Sequence, residues 1–267
     1  MMVVAMVSVG KLRRLWSLPL GAGLLLAVVW LQGQRLQTIQ STEPQPLAIL
    51  QLQDQRDQAQ LLLRHRMPTF GYNNMVANWT FLNFLQYFGN ADVRQQIGYR
   101  LSPDFFQIIV DNDPYFVLPY LFLSTSTSLF AGDPDRAVDL MAQGVSTMTP
   151  NTPEGGYLVW RYMGIDKLLF LGDGEGAQKA FETAADWAEQ SSLPDAEAVA
   201  QASRQTAQFL AENPTSKAAQ INAWIQMASY AVDDETRRLA IERIESLGGE
   251  ILADERGGIT VRYRTDE

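Results

Sequence analysis

The 267-residue chain has no cysteine and one histidine. Without thiols it can form no disulfide, thiolate zinc site, iron–sulfur cluster or cysteine nucleophile. A single imidazole rules out a His-pair metal centre and leaves His65 as the only candidate for a Ser–His base. His65 stands in LLLRHRMP between Arg64 and Arg66, with no nucleophile beside it, and fits a solvated position. Metal, cofactor and catalytic residues are therefore not expected. Strand-like alternation is scarce as well: over residues 72–247 apolar positions recur at intervals of three and four, the helical period, so the body is expected to be all-α.

Charge is missing from one long apolar run. Residues 15–31, LWSLPLGAGLLLAVVWL, would as a helix reach roughly 26 Å, just under the ~30 Å hydrocarbon core of a bilayer, with Trp16 and Trp30 at the two interfaces. The run ends Val-Val-Trp-Leu-Gln-Gly-Gln, a poor small-x-small site, so a retained signal-anchor from Leu15 to Leu31 is favoured over a cleaved signal. Lys11, Arg13 and Arg14 precede it, and only Arg35 follows within the next twenty positions. The positive-inside rule then puts residues 1–14 in the cytoplasm and the rest of the chain on the exported side, periplasm or an equivalent lumen. Residues 41–267 carry 17 Lys+Arg against 30 Asp+Glu, a net charge of 17 − 30 = −13. So acidic a segment disfavours nucleic acid as a partner and a basic membrane-facing surface alike.

Beyond the apolar run glutamine dominates, occurring ten times between Gln32 and Gln60, interrupted by Pro44 and Pro46. Residues 32–68 read as a stalk, extended around the prolines and helical from Leu47 onward. A helix is expected over 73–88, with Met75, Trp79, Leu82 and Tyr87 on one side, widened by Phe81, Phe84, Leu85 and Phe88. Gly89-Asn90 stops it. A second helix starts near Pro103 and halts at Asp113-Pro114, because the residue before proline avoids the helical region.

The chain also repeats itself. Residues 119–148 and 157–188 each read as a helix ending Leu-Phe-x-Gly-Asp, a short turn, and a second helix that opens with alanine. Gly132-Asp133 and Gly172-Asp173 lie 40 apart, as do Ala137 and Ala177. In each copy a bulky residue comes four positions after that alanine, Met141 or Phe181, and a small one three further on, Gly144 or Ala184. With the turn, this pattern resembles the tetratricopeptide repeat family. The period of 40 departs from the family's 34, and the small residue of the first helix falls on Thr125 in one copy and Ile165 in the other. The resemblance implies a tetratricopeptide-like α-solenoid over residues 69–247, with a divergent first hairpin at 72–114 and further helices at 194–210, 216–230 and 234–247. Residues 248–267 change character: Ile259 to Arg264 alternate with period two, as a short strand or a tail.

Other local patterns have structural explanations. Gly172-Asp173-Gly174-Glu175-Gly176 carries two acids and comes after a helix, which suits a repeat turn and not a phosphate cradle. In Asp111-Asn112-Asp113, Pro114 breaks the calcium-loop pattern, leaving helix termination. Ser124 to Ser128 alternate Ser and Thr, small groups that let helices approach closely. The resemblance implies a concave groove lined by first helices, and the residues expected there are Asn74, Asn78, Trp79, Asn83, Trp160, Tyr162 and Asp166, a mixture of rings and amides suited to a peptide backbone. The expected function is a membrane-anchored, non-enzymatic scaffold or assembly factor that binds protein partners. A permanent accessory subunit of a membrane complex, or an envelope glycan-acting enzyme built on helical hairpins, are the alternatives.

Overall fold

The computed structural model describes residues 46–230, 234–253 and 259–262, together with six positions between 23 and 32. Among the described residues the chain is all-helical apart from one short β-hairpin. It divides into two units, Met1–Leu50 and Gln51–Glu267. In the first, the expected span 15–31 lies largely outside the described residues; Gly23, Leu25, Ala27, Val28 and Trp30 are described, and all are helical and exposed. No helix among the described residues is long and apolar enough to cross a membrane.

Helix α1 runs Leu47–Arg66, and from Gln51 it belongs to the second unit. The helical body thus begins well before Thr69, and the expected stalk over 32–68 is not one segment. Leu61 of α1 enters the main core, and Asp54 is buried against Arg94 and Arg100, at 3.4 and 2.7 Å. Helix α2 (Asn73–Phe88) ends at Gly89, α3 (Ala91–Ile97) is a short helix the hydrophobic period did not announce, and α4 (Ser102–Asn112) stops at Asp113 before Pro114. Helices α2 and α4 share an aromatic centre: Phe84 is fully buried, with Phe106 at 4.6 Å and Phe88 at 5.5 Å between ring centroids. Each such ring removed from water contributes roughly 1.5–3 kcal/mol.

The apolar side expected on α2 is only partly buried. Ala77, Thr80, Phe81, Phe84 and Tyr87 point inward, whereas Met75, Trp79, Leu82 and Leu85 are exposed. Helix α2 carries apolar residues on both its packed and its open side, and such a helix does not declare by period which stripe is packed.

The two repeats fold alike. Helix α5 (Val117–Leu123) continues into a π-helical stretch, Ser124–Phe130, and turns into α6 (Pro134–Val145); α7 (Gly156–Leu169) turns into α8 (Gly174–Ala188). Both turns close in the same way. Gly132 (φ +69°) and Gly172 (φ +64°) take the left-handed conformation that glycine adopts at little cost. The next residue donates its N–H back across the turn, Asp133 to the Thr127 carbonyl at 3.0 Å and Asp173 to that of Lys167 at 2.9 Å. Each carboxylate then caps the following helix, Asp133 accepting from the Arg136 N–H at 3.3 Å and Asp173 from the Gly176 N–H at 2.8 Å. The Gly176 bond first, with Lys167 close by, holds the Asp173 carboxyl below the usual carboxylate range.

At the helix crossings Ala137, Met141, Ala177, Phe181 and Ala184 are all buried. A Cβ on Gly144 would lie 2.0 Å from the Tyr120 hydroxyl, so only glycine fits under that ring. The small residue of the first helix falls one position before the expected one, at Ser124 and Gly164, with Gly164 tight against the Phe181 ring. The π-helical stretch accommodates the extra residue in the first copy. In the second, the Leu171 N–H reaches back five residues to the Asp166 carbonyl at 3.3 Å.

Helix α9 (Ala196–Glu212) packs on α8, and α10 (Lys217–Tyr230) packs on α11 (Asp234–Ser246) and touches α7. The end of the chain supplies its own strand partner: β1 (Glu250–Ala253) pairs antiparallel with β2 (Ile259–Arg262), Glu250 opposite Arg262.

Candidate functional site

The residues expected in one groove are dispersed. Asn74, Asn78 and Trp79 lie exposed on α2, while Asn83 is partly buried and donates to the Trp79 carbonyl at 2.7 Å. Trp160 and Tyr162 are half-buried and pack on the main core, with Trp160 edge-on to Trp187 at 5.9 Å. Asp166 is fully buried and lies on no surface, so the seven residues do not share a groove. Its carboxylate accepts hydrogen bonds from the Ser124 and Ser128 hydroxyls, one turn apart in the π-helical stretch. Burial pushes its pKa up to about 7 although both serine bonds oppose the rise. The Ser-Thr run thus provides more than small volume: it solvates a carboxylate inside the repeat.

Two openings border α2. The first is a polar cleft of about 260 Å³ between α1, α2 and α3. Gln53, Asp57 and Gln60 of α1 face Asn83 and Gln86 of α2 and Asn90, with Tyr87, Phe105 and Arg94 among the remaining walls. The Arg94 guanidinium is 3.9 Å from the Tyr87 ring centroid and donates to the Gly98 carbonyl at 3.1 Å. Its Nε is buried without an acceptor. Tyr87 accepts the Leu101 N–H at 3.2 Å, which fixes the ring that Arg94 covers. Burial raises the Asp57 carboxyl, the Asp54 charge raises it further, and Arg94 opposes both.

Each amide in this cleft can donate and accept together, and the cleft adds one carboxylate and a cationic wall. That set suits a ligand whose own donors and acceptors alternate, as a peptide backbone does. His65 stands apart, its Nε2 2.9 Å from Asp111 Oδ2. Sequence reasoning found Asn83 but missed Gln53, Asp57 and Gln60, because a glutamine-rich stretch beside an apolar run reads as a linker. Arg94 was hidden on a helix of two turns.

The second opening is apolar, about 520 Å³, lined by Leu63, Met67, Pro68, Met75, Val76 and Trp79. Phe70 and Gly71, both at positive φ (+51° and +87°), reverse the chain above it and leave the Phe70 ring 83% exposed.

The sequence matches no protein-family model, no curated protein and no solved structure.

Proposed function

We propose that the chain is a membrane-anchored interaction scaffold, an assembly factor for membrane or exported protein complexes, that acts by binding and not by catalysis. The polar cleft beside α2 takes an extended segment of a protein partner, and the single observation that carries this reading is the ring of amides around Asp57 and Arg94. Extended peptides present one donor and one acceptor per residue, so a cleft of amides holds them through the main chain and leaves side chains to set specificity.

The body is read as a tetratricopeptide-like solenoid. The shared turn geometry, the buried small residues 40 apart and the order in which α6, α7, α8 and α9 pack in succession support this. The anchor is Leu15–Leu31, with the N-terminus cytoplasmic and the body on the exported side. Its support is the uncharged run and the exposed helical positions Leu25, Val28 and Trp30 within it.

A photocrosslinking residue placed at Gln86 in the full chain, in membranes, is expected to capture a protein partner; the same probe at Glu212 is not. Gln53→Ala with Gln86→Ala should lower capture severalfold while the helical signal stays unchanged. Equal capture at both sites would overturn the cleft as the binding surface. Capture of one protein in fixed stoichiometry would favour a permanent accessory subunit over a transient factor.

A further inference from the structure

From Gln58 to Ala91 the chain contains no Asp or Glu, although the whole sequence holds 30. Residues 51–100 carry five Lys+Arg and three Asp+Glu, a net of +2, whereas residues 101–267 carry 12 against 26, a net of −14, so the acidity that argues against a basic membrane-facing surface for the segment as a whole belongs to its later part. The acid-free stretch is also where the apolar surface is exposed. On α1, Leu52, Arg56, Ala59 and Leu63 form one exposed line at helical spacing, and on α2 Met75, Trp79 and Leu82 form another. The two lines meet in the apolar opening, where Leu63 and Met67 face Met75 and Trp79. Phe70, at the tip of the loop between them, is the most exposed large apolar side chain among the described residues. Among the described residues neither Arg56, Arg64 nor Arg66 has a carboxylate partner, and His65 is held aside by Asp111.

We propose that this face of α1 and α2 lies on the surface of an anionic lipid bilayer, with Phe70 and Trp79 in the boundary between headgroups and acyl chains and Arg56, Arg64 and Arg66 toward lipid phosphates. Amphipathic elements that rest on membranes combine an apolar line carrying aromatics with flanking cations, and these meet here; the nearest carboxylates are Asp57, which faces the polar cleft, and Asp111, which is held by His65. The face is continuous across a helix, a loop tip and a second helix. Phe70 protrudes from it, as a wedge into a soft surface does, with no surrounding wall for a partner's side chain. The docking rests on the proposed anchor in one respect, proximity. Fifteen residues separate Leu31 from Leu47, a reach of roughly 50 Å when extended, so an anchored chain always has a bilayer within range and weak docking suffices. The polar cleft opens beside this face, and Gln60 and Arg64 line both openings.

The absence of cysteine makes the test direct, since one introduced thiol takes a dye at a single place. Full chain carrying Phe70→Cys or, as control, Glu212→Cys is labelled with an environment-sensitive fluorophore. Each is reconstituted in vesicles of phosphatidylcholine with about a third phosphatidylglycerol, some of the lipid brominated. The dye at position 70 should be quenched by bromolipid roughly threefold more than the dye at 212. Raising salt or omitting phosphatidylglycerol should reduce the difference, and Met75→Ser with Trp79→Ser should abolish it. Resistance to alkaline extraction reports the anchor independently. Protein that resists extraction but shows no excess quenching at 70 overturns the docking alone, and extractable protein with strong quenching at 70 removes the anchor alone. Energy transfer between labelled copies at 70, without lipid quenching, would assign the face to a second copy of the chain and overturn the proposal.

Discussion

The segment from Gln51 to Arg100 and the two hairpins from Val117 to Ala188 are built of similar helices but present different surfaces. In the hairpins, residues three and four apart on α6 and α8 are buried, and the outward positions are Asp135, Gln143, Glu175 and Lys179. On α2 the inward positions are equally apolar, yet Met75, Trp79 and Leu82 look outward. Apolar spacing thus reports a helix in both regions, and only the chemistry of the remaining positions tells whether the other side meets water. Where those positions are charged or amide, water is the neighbour; where they are Trp, Met and Leu, they form the exposed line that the proposed docking assigns to lipid.

The sharpest way to break this contrast is to put charge where the hairpins close. Ala137→Arg and Ala177→Arg should each destabilise by about 5 kcal/mol, from overpacking together with an unpaired buried charge. Urea unfolding followed by circular dichroism measures it, and full tolerance at both would dissolve the difference between packed and open regions.

The next effect in size belongs to Asp166. Its folded pKa of about 7 lies above the ordinary 3.8, so the folded state holds the proton more tightly than the unfolded chain. This contribution is fully present below pH 3.8 and is lost as pH rises toward about 7, a loss on the order of 4 kcal/mol. Asp166→Asn should therefore be the more stable protein at pH 8, with the advantage shrinking toward pH 4. A constant difference across that range, read from melting temperatures, would contradict the buried acid.

Within the first region Asp54→Ala should cost about 3 kcal/mol, because it leaves Arg94 buried without its carboxylate. Adding Arg94→Met should restore part of the loss, a recovery that an exposed ion pair would not show. Smallest of all is Trp79→Ser. At 60% exposure it should change stability by less than about 0.5 kcal/mol, whereas a comparable cut at Phe84 would cost roughly 4. If Trp79→Ser unfolds the protein, its face is core and the contrast fails.

These residues also show why some features could be read in advance and others could not. The Leu-Phe-x-Gly-Asp turns were legible because a left-handed position and a helix cap each demand a narrow choice of residue, and the repeat showed the same choice twice. The all-α body was legible for the same local reason. What escaped were questions of register and partnership. Thr125 and Ile165 lost their places to Ser124 and Gly164 through one extra residue wound into a helix that no composition signals. Asp166 is an acid in an apolar helix, and from sequence alone such a residue reads as an outward-facing site; its two serine donors come from a helix some forty residues earlier. The cleft stayed hidden because half of it lies on α1, whose glutamines look like a linker until Asp54 is seen to pair with Arg94.

The hairpin turns carry one more implication. At both, the aspartate bonds main-chain atoms across the turn and in the next helix, the Thr127 or Lys167 carbonyl and the Arg136 or Gly176 N–H, and Asp173 adds the Lys167 ammonium at 3.0 Å. Main-chain atoms are the same whatever the side chain, so the bonds that both copies share ask for a glycine and an aspartate, while the second copy also needs Gly176, where a Cβ would lie 2.0 Å from Asp173 Oδ2. A chain closed in this way can copy a hairpin, let the copies drift, and keep their angle. Two residues in each forty thus carry the part of the joint that both copies share.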